Sequence, residues 1–253
     1  MPKRSRATSI GPWSGKPRSS GRQAPIVWPL GALEWHGDHL PLGTDGLLST
    51  AFAERLAEAL DGVLLPTTWI PMTTLPHRFS LDVRSATFES LVADQLSALA
   101  RAGWKVLIVI TGHYAQGQEI LLYRIARTVM DEHEGLMVFA AAPLEPLGDS
   151  MLDHAGRIEA SQMLACRPDL VRLQHISQDA VVGQPPEDAS ELRGRELLNR
   201  AVDAWVEWTG DPDRRALKAA YVEAEARYQP YVERFFRGDW DEAIRAWWSN
   251  RSL

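Results

Sequence analysis

Cysteine is almost missing: Cys166 is the one thiol in 253 residues. A single thiol makes neither an internal disulfide nor a multi-cysteine metal cage, which excludes secreted disulfide scaffolds and zinc ribbons together. A reducing interior such as the cytoplasm suits this chain best. Long apolar runs are also lacking, and none approaches the roughly 18 residues that would carry a helix across a bilayer. Positive charge is scarce beyond the start. Six of the 27 basic residues (Lys3, Arg4, Arg6, Lys16, Arg18, Arg22) lie in the first 22 positions with no acid among them, leaving 21 basic against 33 acidic residues, a balance of -12. So acidic a body repels a polyanion, and nucleic acid is not an expected partner. Phosphate cradles are absent as well: no Gly-x-Gly-x-x-Gly, no Gly-x-x-x-x-Gly-Lys-Ser/Thr and no Gly-x-Ser-x-Gly elbow occurs.

The chain does have material for a core. The apolar fraction of 45% over this length suffices for one large domain or two small ones. Residues 1–24 read as a disordered basic arm, with Ser, Gly and Pro but without the apolar stretch of a secretory leader. From Pro25 to about Ala142 short apolar runs alternate with longer amphipathic segments, the pattern of βαβ units on a mainly parallel sheet. Strands are expected at Ile26 to Leu33, Val63 to Ile70, Lys105 to Ile110 and Leu136 to Ala142. Helices are expected at Leu47 to Leu60, Thr87 to Ala102 and Gln118 to Glu132. Thr87 is the expected N-cap of the middle one, and Gly103 its stop.

After about Asp153 strand signals fade. Helices are expected near Gly156 to Cys166, Ser190 to Thr209, Asp213 to Arg227 and Asp239 to Ser249. Five of the ten tryptophans (Trp205, Trp208, Trp240, Trp247, Trp248) fall in this end. Such aromatic surface needs something to bury it, either the chain's own sheet layer, a neighbouring subunit, or a ligand cage. The expected organisation is therefore the arm 1–24, an α/β domain over 25–200 and a helical, tryptophan-rich C-terminal extension over 201–253.

Chemistry concentrates after the first strand, in Gly31-Ala-Leu-Glu-Trp-His-Gly-Asp-His-Leu-Pro-Leu-Gly-Thr-Asp-Gly46. Glu34 and His36, two apart on extended backbone, project from one face, and Asp45 can return to it after a loop broken by Gly37, Pro41 and Gly43. Carboxylate oxygen with imidazole nitrogen suits Zn²⁺, Mn²⁺ or Fe²⁺ and suits copper(I) poorly. Taken alone, the cluster also reads as a surface turn in which Asp45 caps the next helix. A second site follows the third strand, Thr111-Gly112-His113-Tyr114. The carboxyl end of a parallel strand is where ligand-binding groups collect, so His113 joins Glu34 and His36 if their strands are parallel neighbours. A third, Asp153-His154-Ala155-Gly156-Arg157-Ile158-Glu159, opens a helix, with His154 in the loop before its first turn.

Together these motifs resemble the creatininase (creatinine amidohydrolase) family. The stretch Gly31 to Asp45 is similar to that family's Gly-Ser-x-Glu-x-His-Gly-x-His-Leu-Pro-x-x-Thr-Asp, Thr111-Gly112-His113 to its Asn-Gly-His, and His154 to Ser161 to its His-Ala-Gly-Glu-x-Glu-Thr-Ser. Pro76-His77-Arg78-Phe79-Ser80 is a weaker echo. The likeness spans about Ile26 to Arg172. It implies a three-layer α/β/α sandwich with a mainly parallel sheet, two divalent metal ions (Zn or Mn, with Fe as an option), hydrolysis of a non-peptide C–N bond in a small, often cyclic amide, and homo-oligomers, commonly hexamers. Carried over by position, Glu34 and His113 would bind one ion, His36 the other, and Asp45 both. The chain departs from the pattern at Ala115, where creatininases proper have a glutamate ligand, and at Arg157, where the third motif has glutamate. Glu159 is the carboxylate chosen to fill the gap, with Glu119 in reserve.

On this reading a metal-bound hydroxide attacks the amide carbonyl, while His154 orients the substrate or passes a proton to the leaving nitrogen, with Glu159 as its catalytic neighbour. Trp35, His39, His77 and Tyr114 are the expected substrate-lining residues, His39 serving equally well as a donor to a ligand carboxylate or as a loop prop. Competing readings are a formamide hydrolase or a peptide-precursor peptidase of the same family, and a Rossmann-like binding subunit without catalysis, for which Ala115 and Thr111 speak.

Overall fold

The computed structural model describes residues 24–148, 152–211 and 213–227. The basic arm through residue 23, the helix expected at Asp239 to Ser249 and Trp240, Trp247 and Trp248 lie outside the described residues.

A parallel sheet forms the middle layer. Strand β1 (Ile26–Gly31) lies at its centre and pairs with β4 (Val106–Thr111) from Ile26↔Leu107 to Leu30↔Thr111; β4 pairs in turn with β5 (Met137–Ala141). Both faces of β1 and β5 are buried, which is why these strands are continuous apolar runs rather than alternating ones. On the other side of β1 the expected strand Val63 to Ile70 is two pieces, β2 (Val63–Leu64) and β3 (Thr68–Trp69), which pair with opposite ends of β1. Pro66 lies between them without an amide hydrogen, so the ladder breaks there although the apolar pattern does not.

Helices cover both faces. α1 (Thr44–Leu60), α4 (Arg157–Cys166) and α5 (Glu191–Gly210) pack together on one, and α2 (Ser85–Arg101), α3 (Gln116–Glu132) and α6 (Arg214–Arg227) on the other. The fold is therefore the three-layer α/β/α sandwich. α2 buries the single stripe Phe88, Val92 and Leu96, and Gly103 follows it at φ +97°, a value that favours glycine. Its start differs from expectation: the helix begins at Ser85 with Arg84 in the cap position, so Thr87 is already inside the first turn. α5 runs unbroken through residues 200 and 201, and its start is capped by Ser190 Oγ, which accepts from the Arg193 amide at 3.3 Å.

Two aromatic residues fasten the C-terminal helices to the sheet. Trp205 is fully buried beside Phe52 and Trp208 and donates its indole N–H to the Pro143 carbonyl at 3.0 Å. Tyr221 of α6 lies along the edge of β5 away from β4, accepting from the Ala140 amide and donating to the Val138 carbonyl, both at 2.8 Å. No helix among the described residues is long and apolar enough to cross a membrane.

Candidate metal centre

Strands β1 and β4 are neighbours whose following helices leave toward opposite faces, and the crevice beyond their carboxyl ends is where an open parallel sheet gathers ligand-binding groups. The loop after β1 carries Glu34 and His36 and closes on itself through the Glu34 amide, which donates to the Leu42 carbonyl at 2.9 Å. That closure returns the chain so that Asp45 sits in the first turn of α1 with its carboxylate turned toward the histidines rather than toward the helix's own amides. The end of β4 comes in from the other side. A Cβ on Gly112 would lie 1.9 Å from the Asp45 carbonyl oxygen, so only glycine lets His113 approach this closely.

Five buried side chains meet there. His36 Nε2 lies 3.0 Å from Asp45 Oδ1 and 3.4 Å from Glu159 Oε2; His113 Nδ1 lies 2.9 Å from Glu34 Oε2 and 3.3 Å from Asp45 Oδ2. Two three-donor groups result, Glu34–Asp45–His113 and His36–Asp45–Glu159, and they share Asp45, one carboxylate oxygen to each. A third group joins Glu34, His36 and His154. Among the described residues no such group includes Glu119, which is buried in α3.

The protons are placed by main-chain carbonyls, which can only accept. Glu34 O takes the hydrogen of His36 Nδ1 at 3.0 Å, Met72 O that of His113 Nε2 at 3.0 Å and Trp35 O that of His154 Nε2 at 3.2 Å. In each neutral ring the other nitrogen therefore turns a lone pair toward the cluster. With the ring protons so placed, Glu34 Oε2, His36 Nε2 and Asp45 Oδ2 face neighbouring acceptors with no proton between them, an arrangement costly in a folded core unless something positive binds there. Oxygen and imidazole donors at this spacing fit a pair of divalent ions.

The electrostatics agree. Burial alone would depress the imidazolium of His36, yet Asp45 and Glu159 outweigh it and hold its pKa well above the usual histidine value; burial is likewise outweighed at His113 by Glu34 and Asp45. Burial would raise Glu34 and Asp45, but the histidines pull both below the usual carboxylate range. His154 goes the opposite way: burial, then the neighbouring His36, lowers its pKa and keeps it neutral. The local pattern is one of carboxylates that draw positive charge, held as protons on His36 and His113 when no metal is bound.

The residues expected to line the substrate separate. Trp35 and His77 stack with ring centroids 4.1 Å apart, and Phe79 meets His77 edge-on at 5.2 Å, which gives an aromatic ledge. Tyr114 is half-buried with its phenol pKa raised by burial and then by Glu159 and Asp153. His39, by contrast, is fully buried and gives its Nε2 hydrogen to the Ala155 carbonyl at 2.8 Å. Of the two roles weighed for it other than lining, the loop prop is the one this bond describes.

Several contributors are not among the expected site residues. The Leu75 amide donates to Glu34 Oε1, and the Ala155 amide to Glu159 Oε2 at 2.6 Å from a backbone at φ +50°. Gln118 ties the Met72 amide to the Thr111 hydroxyl at 3.2 and 2.9 Å, behind His113. Asp153 accepts from the Ile158 and Glu159 amides at 2.7 and 3.0 Å and so anchors the start of α4. Its position before an apolar helix was the available signal.

A family model for creatinine amidohydrolase matches residues 16–209. The chain is 30% identical over 187 residues to a creatinine amidohydrolase of Pseudomonas putida, covering 64% of this chain and 69% of that one. It is 26% identical over 236 residues to a mycofactocin precursor peptide peptidase of Mycobacterium ulcerans, covering 77% of this chain and 92% of the relative. Among solved structures, one described as creatininase Mn superposes with a TM-score of 0.66 at 21% identity, over 74% of this chain and 90% of that one, a likeness of fold.

Proposed function

The chain belongs to the creatininase family, and within it we propose a metal-dependent amidohydrolase that cleaves a non-peptide C–N bond of a small cyclic amide at a binuclear centre. The observation that carries this reading is the pair of three-donor groups joined through the two oxygens of Asp45. Glu34 and His113 would hold one zinc or manganese ion, His36 and Glu159 the other. Two ions so held would supply a water of lowered pKa and a polarised carbonyl, which an unreactive amide needs.

The chain's own groups do the rest. His154, neutral and with Nδ1 facing the cluster, takes a proton from the attacking water and returns it to the leaving nitrogen. Glu159, fixed by the Ala155 amide, keeps negative charge beside it. Trp35 and His77 offer a flat surface to a planar ring, with Tyr114 on the side of Glu159. Cytoplasmic location suits the lone thiol of Cys166. Homo-oligomerisation, as a hexamer, accounts for Trp69, Phe79 and Leu81 remaining exposed.

A second reading has one specific support: the peptidase relative is matched over 92% of its length. Elemental analysis with a panel of cyclic ureides, formamidopyrimidines and short peptides tests both. About two transition metal ions per chain and turnover of a cyclic amide are expected; turnover by a metal-free sample overturns the proposal, and cleavage of peptides alone selects the peptidase.

A further inference from the structure

The three donor groups do not place His154 as they place the other histidines. His36 and His113 each face two carboxylates at 3.4 Å or less, whereas His154 Nδ1 lies 3.8 Å from Glu34 Oε2 and joins Glu34 and His36 in a separate group whose donor atoms all lie within 4.8 Å of one another. Atoms bound to one ion at about 2.0–2.2 Å are separated by at most about 4.4 Å. The 3.8 Å spacing lies within that limit, so one ion could touch both atoms.

We infer that His154 is itself a ligand of the centre in the substrate-free protein, through Nδ1, completing the coordination that Asp45 and the two glutamates leave short. Three features support this. Its Nε2 hydrogen is committed to the Trp35 carbonyl, so the lone pair on Nδ1 is the one directed inward. Its ring packs on that of His36, centroids 4.2 Å apart and tilted by 35°, which restrains the ring next to a proposed ligand. And each of the two principal groups offers only three protein donors, one of which, Asp45, is divided between them. The inference rests on the two-ion reading above: once released from the centre, His154 would be free to serve as the proton carrier of that mechanism.

The test uses the full-length protein without substrate, titrated with Co²⁺, comparing wild type with His154→Ala and His154→Phe. The phenyl ring preserves the packing on His36 while removing Nδ1, and both variants equally lose the Nε2 bond to the Trp35 carbonyl. In wild type two ions per chain are expected; in both variants the weaker ion should bind at least about tenfold less tightly, and the visible Co²⁺ absorption should change as one nitrogen donor is lost. Two ions bound as in wild type by both variants, with turnover lost, would make His154 a proton carrier alone and overturn the inference. Loss in the alanine variant but not in the phenylalanine variant would reduce it to packing and overturn it equally. A wild type that takes up a single ion fails at the earlier step and removes the binuclear reading itself.

Discussion

His39 and Ala155, 116 positions apart, are joined by a 2.8 Å bond from an imidazole N–H to a main-chain carbonyl. Ala155 sits at φ +50° and gives its own amide to Glu159. The loop after the first strand therefore sets the carboxylate at the start of α4, and a histidine inside the densest polar motif acts on the centre from behind.

From this, His39→Ala should leave the Ala155 carbonyl buried without a donor, costing about 1–3 kcal/mol. A thermal melt reads that loss. Metal analysis should show depletion of the ion held with Glu159 while the ion held with Glu34 and His113 remains. Equal loss of both, or of neither, would mean that the turn does not depend on this bond.

Replacing Asp45 should have the broadest effect, because its oxygens serve both halves of the centre. Asp45→Ala is expected to lose both ions and turnover. His36→Ala should lose one ion and turnover with it. Mass spectrometry under native conditions counts the ions directly; an Asp45→Ala protein that still holds two would contradict the shared-carboxylate arrangement.

Acidity should act in opposite directions on the empty and loaded protein. His36 and His113 have pKa values raised above 6.5 in the absence of metal, so the stability they contribute is full below that value and is lost as pH climbs through their raised values. Glu34, lowered from 4.5, contributes above that value and loses its contribution as pH falls through its depressed one. The metal-free protein should melt highest in mild acid and fall toward alkaline pH. Binding must expel the imidazole protons, so metal affinity should rise over the range in which apo stability falls. Calorimetry at several pH values measures both, and parallel trends would refute the assignment.

Gly112→Ala places a methyl group 1.9 Å from the Asp45 carbonyl oxygen, which neither main chain can yield without moving. A destabilisation of about 1–3 kcal/mol, from overpacking, should appear as a lower urea midpoint. Metal affinity should drop as well, since His113 rides on the displaced segment.

Much of this molecule could be read from its residues because the features were local. The apolar run of β1 and the stripe Phe88, Val92 and Leu96 announced a strand and a helix by period alone. Glu34, His36, Asp45 and His113 stood out because their types carry chemistry and because strand ends collect them. The unread parts are those with no local mark. Pro66 splits a strand whose apolar pattern runs on, and α2 starts at Ser85 without the side-chain cap that Thr87 seemed to offer. The supports of the centre are main-chain groups of Met72, Leu75 and Ala155, which no side chain marks. The partner of His39 lies too far along the chain for spacing to suggest it.

Tyr221 spends its hydroxyl on the amide and carbonyl that β5 would otherwise offer to a strand from outside. Among the described residues the opposite flank offers β2 and β3, two residues each with a proline between them, too short for a foreign segment to zip onto. Both rims of the sheet are thus poor templates for fibril growth, and a loss of the phenol should show first as turbidity on storage rather than as a fault in turnover.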